Sequence, residues 1–272
     1  MSDSSINPLL LIGVGSSFAC SGLFYHLYQE KKKELQKLKE IPFFRPDQHL
    51  VRLLRASPHK RLQYVAIEGL VQADGEPLAS QFVPRCFSVI QKIVVEEHWR
   101  YWNSLSRTWN SRTTNRKETK NSVPFSLVLP GAFISDLYVK VQNPLEASGC
   151  YLERVYHRIR HAEESLADVL VQSLSGEKPV AHEESEELLR VGSTVTGFGE
   201  VVLEGGQVMR LQAPQDGRRY ILVPTDYGSF MDRHESSAKM WKVLTALCGI
   251  TGTSLLVGGI YGFIGKQDGR SK

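Results

Sequence analysis

His157 and His161 stand four residues apart, with Glu164 three further on. On a helix that spacing would put two imidazoles on one face, where they could share a metal. The run HRIRHAEE argues against it: no glutamate follows the first histidine directly, as zinc proteases require, and arginines intervene. These residues read as a solvated face. Glu183, Glu184, Glu186 and Glu187 form a carboxylate run, and paired carboxylates do acid–base work when their surroundings drive their pKa values apart. Here the run precedes Leu188-Leu189 in polar sequence, so it reads as the charged start of a short helix over His182–Leu189. Gly197-Phe198-Gly199 and Gly205-Gly206 lack a following Lys-Ser/Thr, which favours hairpin turns over a phosphate loop. A Gly-x-Ser-x-Gly nucleophile elbow is absent from the sequence. The residues assemble no active site, and neither a catalytic, a cofactor-binding nor a metal-ligating set is expected.

Cysteine chemistry is equally sparse. Cys20, Cys86, Cys150 and Cys248 are far apart and form no C-x-x-C or Cys/His array of the zinc type. Cys86 and Cys150 read either as a disulfide in an oxidising space or as two buried free thiols. No Asn-x-Ser/Thr sequon occurs, in keeping with a chain that avoids the secretory lumen. The formal charge is +4 and the pI about 8.8. Much of the excess sits in EKKKELQKLK (Glu30–Lys39), with no basic face interleaved with aromatics, so nucleic acid is not an expected partner.

The apolar residues are more decisive. Val243–Ile264, VLTALCGITGTSLLVGGIYGFI, passes 22 residues without a formal charge. A helix needs about 20 to cross the hydrocarbon of a bilayer. Lys239, Lys242 and Lys266 bracket the run, and Trp241 and Tyr261 lie near its ends, where amphipathic rings favour the headgroup layer. Pro8–Tyr28 is a second such run. Met1–Asn7 carries Asp3 and no Lys or Arg, so a cleaved signal peptide is disfavoured and an uncleaved anchor is expected. Small residues recur every fourth position, as Gly13, Ser17 and Ser21 in the first run and Ser254, Gly258 and Gly262 in the second. Such stripes let helices approach closely in lipid, and these six are the candidate helix-packing residues, within the chain or between copies.

The expected organisation is a tail (1–7), a first span (8–28), a basic juxtamembrane helix and linker (29–49), a central domain (50–235), a second span (243–264) and a tail (265–272). Pro42 ends the juxtamembrane helix. Leu50–Ala56 reads as a short helix broken at Ser57-Pro58. Tyr64–Gln72, Cys86–Trp99, Val123–Leu129, Leu137–Gln142, Thr194–Leu203, Val208–Leu211 and Tyr220–Val223 read as strands. Arg100–Asn121, rich in Ser, Thr, Asn and Arg, reads as a mobile hairpin tip. Tyr156–Leu174 has a period near 3.6 through Ile159, Leu166, Val169, Leu170 and Leu174 and reads as a helix. Thr225 or Asp226 is placed to cap a helix running into the second span. The fold class is α+β, a strand-dominated central domain between two transmembrane helices.

Ordered blocks then point to a family. They are YVAIEGLV (Tyr64–Val71), SQFVPRCFSVIQKIVVEEHWRYWN (Ser80–Asn103), SVPFSLV (Ser122–Val128), SGEKP (Ser175–Pro179), EELLRVGSTVTGFGEVVL (Glu186–Leu203), VMRLQAP (Val208–Pro214) and ESSAKMWKVL (Glu235–Leu244). In that order, between two terminal spans, they resemble the mitochondria-anchored protein ligases, the MAPL or GIDE family. The resemblance implies a two-span protein of the mitochondrial outer membrane, with some members in peroxisomes. It places the central domain in the intermembrane space and both ends in the cytosol. It further implies a cytosolic zinc-binding RING after the second span, which recruits a ubiquitin- or SUMO-charged conjugating enzyme. The processes implied are mitochondrial fission and fusion, quality control and NF-κB signalling.

After Ile264 there is no Cys or His, so these residues supply no RING ligands, and zinc and conjugating enzymes are expected only for a longer form. The readings left open are a ligase-family anchor and regulatory domain, a RING-less adaptor or dominant-negative partner, and an intermembrane-space module for lipid or protein. Expected partners are membrane lipid and a homo- or hetero-oligomer formed through the spans. The Lys31–Lys39 cluster lies on the domain side, against a simple positive-inside orientation, but large domains cross membranes largely regardless of charge.

Overall fold

The structure, a computed structural model, describes residues 8–131, 137–161, 177–206 and 208–268. The chain divides into two compact units, residues 1–41 with 228–272 and residues 42–227. The first unit holds the helices α1 (Pro8–Lys39) and α3 (Tyr227–Asp268, after its first residue). Each has a stretch long and apolar enough to cross a membrane.

The second unit is built on strands. In order these are β1 (Phe43–Phe44), β2 (Arg61–Ala73), β3 (Leu78–Ala79), β4 (Phe87–Asn103), β5 (Thr108–Ser122), β6 (Phe125–Val128), β7 (Tyr138–Val141), β8 (Glu153–His161), β9 (Glu177–Arg190), β10 (Thr194–Glu204), β11 (Val208–Gln212) and β12 (Ile221–Val223), with the helix α2 (Gln48–Ala56) after β1. Five strands close on themselves in the ring β2-β6-β7-β11-β10, because β10 pairs back onto β2. The contacts around it are antiparallel except β7 with β11. Taken as the ring's first to fifth strands, the order is 1-2-3-5-4-1 with the third and fifth parallel, the connectivity of the five-stranded OB-type barrel.

The barrel interior is the core. Ile67, Phe125, Leu127, Val139, Met209 and Leu211 are almost fully buried. The helix α2 adds Leu50, Val51 and Leu54 to the same core. It starts where Asp47 Oδ1 accepts the Leu50 N–H at 2.8 Å and ends where the Ser57 N–H reaches Leu53 O at 2.9 Å, with Pro58 barring continuation. Gly199 is required where β10 bends, since a Cβ there would lie 2.6 Å from Gln212 O.

The second sheet is an excursion from the barrel. Its strands run β3-β4-β9-β8, with β5 on the β3 edge of β4. Two expectations fail here, and a third is narrowed to its turn. Tyr156–His161 lies in strand β8, and the remainder of the predicted Tyr156–Leu174 helix falls on 162–174, outside the described residues. The predicted helix His182–Leu189 is the heart of β9. Pairing with β4 on one side and β8 on the other overrides the local helix preference of its glutamates. Arg100–Asn121 is largely paired strand, the β4–β5 hairpin, and only Ser104–Arg107 turns. Gly197 and Gly199 are interior to β10, while Gly205 and Gly206 make the β10–β11 turn with positive φ. The fold class itself is as expected: strand-rich, with long apolar helices at both ends.

Candidate functional site

Within the first unit the two helices run antiparallel. Leu10 lies against Gly259 and Gly13 against Leu255, then Ser17 meets Thr251, Ser21 meets Thr245, and Phe24 meets Trp241. Steps of three and four along α1 give the near-3.5 period of two helices crossing at a shallow angle. Ser17 Oγ donates to Cys248 O at 2.7 Å and shares a 2.9 Å hydrogen bond with Thr251 Oγ1. Ser21 Oγ donates to Thr245 O at 3.1 Å. In lipid such bonds contribute about 0.6 kcal/mol each, and small residues let the backbones come close enough to make them. The small residues of α3 at this contact are Gly249, Gly252 and Gly259, which meet Ser21, Ser17 with Phe18, and Leu10. Of the expected stripe, Ser254 turns its hydroxyl to Thr251 O and Gly258 has nothing within 4 Å. The surroundings of Gly262 lie outside the described side chains.

In the second unit, charged groups converge across the outer sheet. Glu183 on β9 receives two imidazoles, His98 Nε2 from β4 and His157 Nε2 from β8, each at 2.8 Å. Glu96 stands beside them, holding Arg116 Nε at 3.3 Å. Those two hydrogen bonds, His157 first, hold the Glu183 carboxyl below its ordinary range. Two pleats along, Glu187 takes Lys92 at 3.0 Å and Arg154 at 3.5 Å, one from each neighbouring strand. Among the described residues Glu96, His98 and Glu183 are the group whose ligand atoms lie within 4.8 Å of one another, as a metal would need. Both carboxylates are already matched by protein cations or imidazoles. The arrangement is a hydrogen-bonded charge network that fixes the register of three strands.

Glu186 has a different role. It is fully buried on the other side of β9. Its carboxylate accepts from Ser80 Oγ at 2.6 Å, Gln91 Nε2 at 2.7 Å and the N–H groups of Gln81 and Phe82 at 2.9 and 3.3 Å. Burial pushes its pKa up, but the four donors outweigh it and the carboxyl stays ionised below the ordinary range. The clamped loop presents Phe82, whose ring stacks on Tyr156 with centroids 4.3 Å apart.

The matches to known proteins bear on this geometry. Residues 94–258 match the family described as "GIDE: E3 Ubiquitin ligase". The chain is 40% identical over 251 residues to "Mitochondrial ubiquitin ligase activator of nfkb 1-A" of Danio rerio, covering 92% of this chain and 72% of that one. It is 37% identical to "Mitochondrial ubiquitin ligase activator of NFKB 1" of Homo sapiens, covering 87% of this chain and 66% of the relative. The chain belongs to the GIDE family. A more distant relative, "Mitochondrial E3 ubiquitin protein ligase 1" of Drosophila melanogaster, is 26% identical over 94% of this chain and 72% of its own length. No solved structure matches.

The GIDE match begins inside β4 and ends inside α3. It therefore takes in the Glu183 network, four of the five barrel strands in full (β6, β7, β10 and β11), and part of the second apolar helix. His157 and His161, read from the sequence as a solvated face, lie on the strand β8 and not on a helix. His157 bonds to Glu183, and His161 sits further along β8 opposite Ala181. All four cysteines are free thiols, Cys86 half-buried and Cys150 exposed, so neither a disulfide nor a buried pair is formed. Sequence reasoning missed the partnership of Glu183 with His98 because 85 positions separate them. The available signal was charge complementarity: glutamate at four of the five positions Glu183–Glu187, and histidines and arginines at four of the five positions His157–His161.

Proposed function

We propose that this chain is a two-span protein of the mitochondrial outer membrane whose residues 1–272 anchor and regulate the transfer of ubiquitin or SUMO. The observation that carries this is the joint match: a GIDE-family region together with an antiparallel pair of apolar helices at the two ends of the chain. An antiparallel pair returns both termini to one side of the bilayer. The central domain then lies on the other side, in the intermembrane space, with the termini in the cytosol. Some of the protein resides in peroxisomes.

Transfer itself falls to a RING module, carried by a longer form of the chain or by a partner that pairs with it through the spans. A structural zinc site of that type takes four Cys or His ligands, and conjugating enzymes are partners only where it is present. The network on the outer sheet serves as scaffold in this reading, and the domain senses or positions.

Protease treatment of intact mitochondria, followed by an antibody to the central domain, tests the placement. The domain should survive until the outer membrane is ruptured, and digestion in intact organelles would contradict the orientation. A conjugation assay with the purified 272-residue chain, E1, E2 and ubiquitin should give no product until a RING-bearing relative is added. Product without that addition would overturn the division of labour.

A further inference from the structure

The β4–β5 hairpin ends in the turn Ser104–Arg107. On either side of that turn Trp102 and Asn103 of β4 pair with Trp109 and Thr108 of β5. At the apex Leu105 is 97% exposed, and behind it Trp102 and Trp109 are 42% and 47% exposed. These two are direct cross-strand partners, with their rings edge to face and centroids 5.6 Å apart. Asn103 Oδ1 accepts the Leu105 N–H at 3.0 Å, which shapes the turn from within. Three large apolar side chains exposed at a hairpin tip gain nothing from water.

Their charge surroundings identify the occupant. From His98 to Lys117 the sequence holds Arg100, Arg107, Arg112, Arg116 and Lys117 and no Asp or Glu. Arg100 and Arg107 are exposed, and Arg112 lies over the Tyr101 ring at 5.9 Å. An apolar wedge with indoles behind it and arginines behind those is graded for the layers of a bilayer surface: acyl boundary, headgroup, phosphate. A protein groove would call for a wedge without that collar of cations. The chain also carries two apolar helices that tether it to a membrane, so lipid is its most concentrated neighbour.

We propose that the Trp102–Trp109 hairpin tip inserts into an anionic lipid surface, Leu105 and the two tryptophans entering the interface and Arg100 and Arg107 binding lipid phosphates. This rests on the membrane reading of α1 and α3 for its tether, and adds a second, peripheral contact that the spans do not require.

The test uses the full chain with its four cysteines changed to Ser and one cysteine introduced, Leu105→Cys, carrying an environment-sensitive fluorophore. The chain is incorporated into nanodiscs of phosphatidylcholine alone or with cardiolipin or phosphatidylserine. The expected result is a blue-shifted emission, quenched by brominated lipid, in the anionic discs. The same label at exposed Glu76 stays wet. Replacing Arg100 and Arg107 with Gln leaves the apolar wedge intact and should weaken insertion by roughly fivefold per arginine at low salt. A Leu105 label that stays in water in every disc, while the chain co-elutes with the disc, overturns the inference and leaves the membrane reading standing. A label that becomes dry only on addition of a protein, or dries equally at Glu76, also overturns it. A chain that fails to enter discs at all removes both.

Discussion

The barrel and the outer sheet are two parts of one folded unit that lean on burial and on ion pairing in different measure, although β4 and β9 also bury Val89, Ile90, Leu188 and Leu189, and the barrel also pairs Glu68 and Glu200 with Arg45 and Arg61. The barrel buries side chains such as Phe125, Leu127 and Met209 and keeps one close backbone approach at Gly199. The outer sheet holds its register with ions: Glu183 between two imidazoles, Glu187 between Lys92 and Arg154, and Glu186 sealed behind Ser80 and Gln91. Burial is non-directional and scales with area. Ion pairs and hydrogen bonds are directional and cost most when one member is removed. The barrel should therefore respond to volume and the sheet to pairing and pH.

The largest effect is expected in the barrel. Phe125→Ala should cost about 3–5 kcal/mol by the usual transfer and cavity terms, read as a lowered thermal midpoint of the full chain in detergent. A change smaller than that of any outer-sheet variant would break the contrast. Next comes Glu186→Leu, which strands the Ser80 hydroxyl, the Gln91 amide and two backbone N–H groups. Of these only Gln91 is a buried residue, so the loss should be about 1–3 kcal/mol, the cost of one unmet buried donor, and faster hydrogen exchange at Gln81 and Phe82 than elsewhere in the domain should mark the loop's release. Exchange that stays slow there would show that the carboxylate is not the clamp.

The acid response sharpens the comparison. The Glu183 carboxyl is held low by His157 and His98. A depressed carboxyl contributes stability above its unfolded-state pKa and loses it as pH falls through the lowered folded value. His157→Gln should flatten the stability curve in that acid window, whereas barrel variants shift the curve without changing its slope. The smallest effect belongs to Lys92→Met, a part-exposed ion pair with Glu187. Such pairs contribute about 0–1 kcal/mol, and a loss larger than that of Glu186→Leu would invert the ranking.

The same contrast explains what could be read from the sequence. Strands β2, β4 and β10 announce themselves by β-branched apolar runs, and α2 by Leu50, Val51 and Leu54 between Asp47 and Ser57-Pro58. The two apolar helices follow from length and absence of charge. The flanks of the outer sheet, β5, β8 and β9, are hidden because they are polar, and glutamates in HEESEELL and arginines in HRIRH carry helix-like local preferences. Their strand state depends on partners some 85 to 95 positions away, such as His98 for Glu183 and Lys92 for Glu187. The small-residue stripes were half informative. Ser17 and Ser21 face α3, yet α3 answers with Gly249, Gly252 and Gly259, a register that one helix's composition cannot reveal.

The account depends on α1 and α3 forming one antiparallel pair in lipid. Ser17 and Thr251 present side-chain oxygens 2.9 Å apart, so Ser17→Cys with Thr251→Cys, in a chain otherwise free of cysteine, tests it directly. Mild oxidation of the full chain in mitochondrial membranes should give an internal disulfide in a monomer that resists alkaline carbonate. Disulfides formed only between copies, or a chain released by carbonate with no cross-link, would contradict the pairing.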